Sequence, residues 1–230
     1  MATPIGNLGD ITIRAVDILS TVDNIAAEDT RKSRILFNHH GIKPKRLLSY
    51  FGPKEEIKAK ELLNLLEQGE TVALITDAGT PGISDPAGRI VRLAIENGIN
   101  IIPIPGPSAL IAALPVSGFD TSSFVFEGFL PVKSGRRKAT LERLYSEGRT
   151  VILYESTHRI LKLLDELESD IPERKIVVAR ELTKMFEEFV RGTPSEVKAQ
   201  LTGKRTKGEF VVLIEGEDKK IKGGSCDGSS

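Results

Sequence analysis

The segment Thr76-Asp77-Ala78-Gly79-Thr80-Pro81-Gly82-Ile83-Ser84-Asp85-Pro86 has the make-up of a ligand-holding loop. The apolar run Thr71 to Thr76 precedes it and a helical pattern follows. It therefore leaves the carboxyl end of a buried strand, where open α/β sheets place their ligands. Its glycines let the backbone approach a ligand closely, and its prolines stiffen the turn. Such a loop offers amides and carbonyls with little ordering cost on binding. The same residues would also serve an ordinary strand-to-helix connection. Pro103 to Ala109 repeats the design, with a Pro105-Gly106 corner and Ser108 in the first turn of a helix, and Thr3 to Leu8 is a third stiff loop. Gathered at one edge of one sheet, the three would make a binding site.

Polar clusters supply the reactive groups. Glu28-Asp29-Thr30-Arg31, Tyr154-Glu155-Ser156-Thr157-His158-Arg159 and Arg180-Glu181-Leu182-Thr183-Lys184 each follow an expected strand. That shared position lets some of them line one cleft, although caps and surface ion pairs would use the same residues. Basic runs occur at Arg31-Lys32-Ser33-Arg34, at Lys133 with Arg136-Arg137-Lys138, and at Lys204-Arg205 with Lys207. Neither a dinucleotide-type nor a phosphate-binding glycine loop is present, nor a nucleophile elbow. With His39, His40 and His158 the only histidines, no cysteine–histidine zinc cluster arises. His39 and His40 precede Gly41 near a helix end, where they are expected to be solvated or satisfied by the helix dipole rather than catalytic.

Apolar runs alternating with amphipathic stretches indicate an α/β fold. A first helix carries Ile11, Ala15, Val16, Leu19 and Val22 on one face, with Asp10 placed to cap it. A strand at Asn24 to Ala27 follows, then a helix marked by Ala59, Leu62, Leu63 and Leu66 and stopped by Gly69. After the strand Thr71 to Thr76, Asp85 and Pro86 start a helix whose inner face is Ala87, Ile90, Val91 and Ala94. Asn100 to Ile104 reads as another strand and Pro107 to Leu114 as a short helix. A boundary near Val116 to Asp120 separates a domain at 1–117 from a second at 118–217. Strands in the second are expected at Ser123–Phe126, Thr150–Tyr154, Lys175–Ala179, Glu187–Arg191 and Glu209–Glu215. Helices are expected at Arg136–Ser146, His158–Leu167 and Pro194–Leu201. The Gly/Ser-rich stretch 218–230 reads as a disordered tail.

Composition bounds the rest. With 230 residues, 40% hydrophobic and 28% charged, the chain suits a soluble protein of one or two domains. Basic and acidic residues balance at 32 each, which disfavours holding nucleic acid by bulk charge alone. No apolar run approaches the ~20 residues of a membrane helix, and Pro4, Gly6 and Asp10 do not suit a signal peptide. A single cysteine, Cys226, fits a cytoplasmic protein.

Taken together, the chain resembles the tetrapyrrole methylase superfamily of S-adenosyl-L-methionine-dependent methyltransferases. Within it, the likeness is to the 16S ribosomal RNA (cytidine-2′-O)-methyltransferase family. The matching stretches are ATPIGNLGDIT at Ala2–Thr12, AAEDTR at Ala26–Arg31, ITDAGTPGISDP at Ile75–Pro86 and IPGPSALIAAL at Ile104–Leu114. FEGFLP at Phe126–Pro131, YESTHR at Tyr154–Arg159, ARELTKMFEEFVRG at Ala179–Gly192 and KGEFVVLIEG at Lys207–Gly216 continue the set. The resemblance implies two α/β domains, with the cofactor in the cleft between them, and a homodimer. Carried over, the cofactor residues would be Pro4, Ile5, Gly6, Asp77, Ala78, Gly79, Thr80, Ile83, Pro105, Gly106, Ser108 and Ala109. Tyr154 and Leu182 would complete the pocket. Ala87 and Thr157 stand where glycine and proline are usual. The family also carries an apolar strand before ATPIGNL; here only Met1 precedes it, so that strand is expected to be missing, at a cost in stability or activity.

The implied reaction asks a ribose 2′-hydroxyl to take the sulfonium methyl in line, with no metal. Positioning then supplies most of the acceleration, and a base must remove the hydroxyl proton. Lys184, Glu155, Glu181 and Glu28 are the candidates, with Lys184 preferred. Arg31, Arg136, Arg137 and Arg159 are candidate phosphate contacts on ribosomal RNA or the small ribosomal subunit. Two other readings stand beside this one. One is a carbon methyltransferase acting on a corrin or porphyrin; the other is a cofactor- or RNA-binding module without catalysis.

Overall fold

A computed structural model describes residues 1–52, 55–85, 87–201 and 206–217. Contacts divide the chain into two units. The first is Met1–Ala113 with Glu181–Glu187, and the second is Leu114–Arg180 with the chain from Glu188. The division falls a few residues before the expected 117/118 boundary. It also assigns a loop from the second half of the sequence to the first unit.

In the first unit, β1 (Asn24–Ala27) lies between β2 (Leu47–Ser49) and β3 (Val72–Ile75), all parallel. All four residues of β1 are buried, as a parallel strand covered on both faces requires. Side chains alternate across the strand. Ile25 and Ala27 therefore join Leu19, Phe37 and Ile75 in one apolar cluster, while Ala26 joins Tyr50, Leu62 and Ile90 in another. The covering helices are α1 (Ile13–Thr21), α2 (Thr30–His40), α3 (Glu55–Glu67), α4 (Gly88–Glu96) and the short α5 (Ala109–Ala113).

Several expectations are corrected here. Thr12, not Asp10, caps α1, its hydroxyl accepting from the Ala15 amide; Asp10 sits in a 3-10 turn at Leu8–Asp10. Asp85 does not cap α4, whose N-cap is Ala87 and lacks a side-chain bond. Val91 is 37% exposed at the edge of a stripe formed by Ala87, Ile90 and Ala94. Asn100–Ile104 is not a strand. An apolar run becomes a strand only with a ladder partner, and among the described residues this one has a single such bond, from the Ala2 amide to the Ile104 carbonyl at 3.2 Å. Ile101 and Ile102 are exposed in consequence. On its other side, the Met1 ammonium donates to the Leu74 carbonyl at the open edge of β3. The three-residue β2 carried no pattern long enough to be foreseen.

The second unit is a five-stranded sheet in the order β4 (Phe124–Phe129), β5 (Thr150–Ser156), β8 (Glu209–Ile214), β6 (Ile176–Arg180), β7 (Glu188–Gly192). β4 and β5 run parallel, and the remaining pairs are antiparallel. β5 and β6 are thus parallel to each other with one slot between them, which the last strand fills. The helices are α6 (Ser134–Tyr145), α7 (Ile160–Asp170) and α8 (Pro194–Gln200). Leu141, Leu144, Leu163, Leu164 and Leu167 pack on Val178 and Val212 to form the core. Thr193 and Glu196 close a reciprocal capping box at the start of α8. Pro86, Lys204, Arg205 and the stretch 218–230 with Cys226 lie outside the described residues. Among those described, no helix is long and apolar enough to cross a membrane.

Candidate active site

The three stiff loops of the first unit are stitched to one another. Thr3 and Gly79 exchange both backbone hydrogen bonds, at 2.9 and 3.0 Å, which joins the first loop to the second. The Thr80 hydroxyl donates to the Pro107 carbonyl at 3.2 Å, joining the second to the third. Gly106 closes the ring, since a Cβ there would lie 2.9 Å from that of Ala2. The glycines thus let loops approach one another as much as they let a ligand approach. Gly79 has φ +81°, a conformation that costs other residues about 1–2 kcal/mol. Pro4 is buried; Gly6, Ala78, Gly82, Ile83, Pro105 and Gly106 are exposed, and Ser108 and Ala109 are half-buried where α5 begins. What faces outward is therefore a surface poor in side chains and rich in accessible backbone.

A fourth segment, Glu181–Glu187, docks on the first loop. The Asn7 amide donates to the Thr183 hydroxyl at 3.0 Å. Gly6 abuts it so closely that a Cβ would come within 2.8 Å of the Leu182 carbonyl. Glu181 (φ 50°) and Thr183 (φ 65°) hold left-handed conformations that non-glycine residues avoid, and Thr183 is β-branched as well. Each stores about 1–3 kcal/mol of strain, a cost met where surrounding contacts over-determine the backbone. Here the Thr183 amide donates to Glu187, and the Lys184 ammonium meets the Glu181 carboxylate at 2.9 Å. Lys184 and Glu181 thus form one ion pair beside the Gly6 loop, with Leu182 buried between them in sequence. Strain of this kind leaves no trace in sequence pattern.

Glu28 and Asp77 join the β1–α2 turn to the second loop. The Asp77 amide donates to Glu28 Oε2, and Asp77 Oδ1 accepts from the Asp29 amide, both at 3.0 Å. Lys32 Nζ meets Asp77 Oδ2 at 2.8 Å, and this bond raises the lysine's pKa. Asp85 is pushed up to about 6, first by burial and then by the charges of Glu28 and Asp77. Asp29 caps α2 and grips the exposed guanidinium of Arg31, which holds its own carboxyl well below the usual range. Beside this network lies a cavity of about 220 Å3, lined by Leu8, Ile35, Leu36 and Ile75, by Thr3, Ser33 and Thr76, and by Lys32 and Asp77. Lys32 stood in the sequence only as one member of a basic run. His40 is turned inward, its Nε2 lying 2.8 Å from the Leu8 carbonyl.

In the second unit, the expected site residues separate. Tyr154 lies half-buried two residues before the end of β5, with Phe126 and Phe129 edge-on to its ring at 4.9 and 5.7 Å. Glu155 points the other way and its side chain is 0% exposed. It meets Arg137 at 3.3 Å and Arg159 at 3.5 Å, and accepts from the Ser156 amide. Arg137 is itself 2% exposed and makes a second ion pair, with Glu166 at 2.8 Å. Arg159 donates to the Leu130 carbonyl at 2.7 Å. This corrects two expectations. Arg137 cannot reach a phosphate and Glu155 cannot reach a substrate, because each neutralises the other inside an apolar core. Helical spacing holds the clue: Arg137, Leu141 and Leu144 fall on one face. Arg31 and Arg136 remain exposed.

Comparison with known proteins places this geometry. The family model for tetrapyrrole (corrin/porphyrin) methylases matches residues 2–198. The chain is 49% identical to the ribosomal RNA small subunit methyltransferase I of Haemophilus influenzae over 95% of its length and 78% of that protein's. It is 50% identical to the protein of the same name from Synechocystis, over 94% of its length and 77% of the other's. Its fold is similar to that of a cobalt precorrin-4 methyltransferase, with a TM-score of 0.69 at 18% identity, covering 94% of this chain and 92% of that one. The stitched loops therefore lie within the stretch that defines the family, and the chain belongs to the tetrapyrrole methylases, in the branch of the ribosomal RNA small subunit methyltransferase I proteins.

Proposed function

We propose that the chain is an S-adenosylmethionine-dependent methyltransferase that modifies the 2′-hydroxyl of a cytidine in 16S ribosomal RNA. The near-half identity to ribosomal RNA methyltransferases across almost the whole chain carries this reading and favours RNA over a corrin or porphyrin. The stitched loops fit the cofactor: exposed backbone at Gly6, Ala78, Gly82 and Gly106 suits a polar nucleoside, and Ile83 and Pro105 add apolar contact. Bound there, S-adenosylmethionine would supply a methyl made electrophilic by the sulfonium charge. Ile5 and Gly6, Ala78 to Ile83 and Pro105 to Ala109, with Leu182, hold and orient it.

Lys184, held 2.9 Å from Glu181 on the strained segment, first gives up its own proton to solvent, and its neutral amine then takes the hydroxyl proton. Glu28 has a positioning role through the Asp77 amide. Arg31 and Arg136 hold RNA phosphates, each adding salt dependence to binding. The protein works in the cytoplasm as a homodimer, on ribosomal RNA or the small subunit. The test is transfer of radiolabelled methyl from S-adenosylmethionine to small subunits lacking their native modifications, followed by nucleoside analysis. Label in 2′-O-methylcytidine supports the reading; label in another nucleoside, or none while S-adenosylhomocysteine still binds, overturns it.

A further inference from the structure

We infer that the cavity beside Asp77 seats the pyrimidine ring of the target nucleotide, with Lys32 and Asp77 reading its pairing edge. This rests on the reading of the chain as an RNA methyltransferase and deepens it by naming where the base goes. Size is the first argument. The cavity holds about 220 Å3. A cavity of about 150 Å3 takes benzene, and a drug-sized ligand needs roughly 300–1,000 Å3. One six-membered ring with its substituents therefore fits, and a whole S-adenosylmethionine does not.

Chemistry is the second argument. Leu8, Ile35, Leu36 and Ile75 give apolar walls suited to the faces of a ring. Thr3, Ser33 and Thr76 also line the cavity, and its charged groups are the Lys32 ammonium and the Asp77 carboxylate, which meet at 2.8 Å. Each Asp77 oxygen already accepts from one protein donor and retains a second lone pair. A donor and an acceptor thus stand side by side. Cytosine presents its N4 amino group beside N3, a donor next to an acceptor, which is the complement. The amino group would donate to Asp77, and Lys32 would donate to N3. Uracil in the same seating turns a carbonyl toward Asp77 and an N–H toward Lys32, so both bonds fail. Nucleic-acid enzymes seat an extruded base in a snug pocket and read its Watson–Crick edge in this manner. Pro4 lines the same cavity, so a base seated there lies next to the first stiff loop.

The test uses free nucleosides. Cytidine and uridine are titrated into the whole protein by ligand-observed NMR, with and without S-adenosylhomocysteine. Cytidine should bind at least ~10-fold more tightly than uridine, since uridine would make neither the bond to Asp77 nor that to Lys32. Ile35 is 62% exposed on the cavity wall, so Ile35→Trp fills the space without entering the core. It should abolish cytidine binding while S-adenosylhomocysteine affinity, measured by calorimetry, stays within about twofold. Lys32→Met should bring cytidine down to the level of uridine. Absence of cytidine binding to the unaltered protein overturns the inference. Equal binding of uridine does so too, as does cytidine binding that survives Ile35→Trp. Loss of S-adenosylhomocysteine in that variant would make the cavity part of the cofactor's seat and also overturn it. Should cytidine bind as expected while small subunits accept no methyl, the proposed function fails and the base seat stands.

Discussion

Two charged networks, one in each unit, put similar residue types to different ends. In the first unit, Lys32, Glu28, Asp29 and Asp77 bond to one another at the surface, with the Lys32 side chain 64% and Asp77 18% exposed. In the second, Arg137 and Glu155 are 2% and 0% exposed. Water screens the first network, so its bonds add little to stability and are free to serve a ligand. The second has lost its water, and each charge is tolerable only because the other is present. Similar residue types therefore do opposite work. The exposed set arranges a site, whereas the buried set holds together the end of β5 that carries Tyr154.

The largest effect should come from breaking the buried network. Arg137→Met leaves Glu155 without its main partner and should cost about 3–5 kcal/mol in urea unfolding. A loss below about 1 kcal/mol would show that water reaches Glu155 and would erase the contrast. Next is Lys184→Ala, which removes the half-exposed partner of Glu181. Turnover should fall by at least ~10²-fold, while melting temperature and cofactor affinity change little. Near-normal turnover would remove Lys184 as the base.

Asp85 gives a smaller, pH-dependent effect. Its native pKa of about 6 lies above the ordinary 3.8, so the folded state favours the protonated carboxyl. The stability this brings is whole below pH 3.8 and is lost as pH rises through 6. Asp85→Asn should therefore match the unaltered protein near pH 4 and exceed it by about 1 kcal/mol at pH 7, a figure reduced for partial solvent screening. Parallel stability curves across that range would contradict it. Smallest is Lys32→Met, expected to change unfolding free energy by less than about 1 kcal/mol. A larger loss would move the exposed network into the same class as the buried one.

Much of the site was legible before any fold was known. The loops around Gly6, Gly79 and Gly106 announce themselves because stiff Pro/Gly turns after apolar runs are local features. Strands β1, β3, β5, β6 and β8 follow from short apolar runs for the same reason. Expectations failed where a residue's role depends on something distant in sequence. Asn100–Ile104 has strand composition but lacks a ladder, and Asp10 and Asp85 have capping chemistry but the helices start elsewhere.

The sequence by itself determined the α/β class, the three loops and the family, because turn chemistry, periodicity and matched motifs are written in consecutive residues. Only the tertiary structure decided that Arg137 and Glu155 are internal, that Glu181–Glu187 docks on Gly6 under strain, and that Lys32 meets Asp77 beside a ring-sized cavity. Burial and charge compensation depend on which distant groups come within a few ångströms, and no local pattern encodes that.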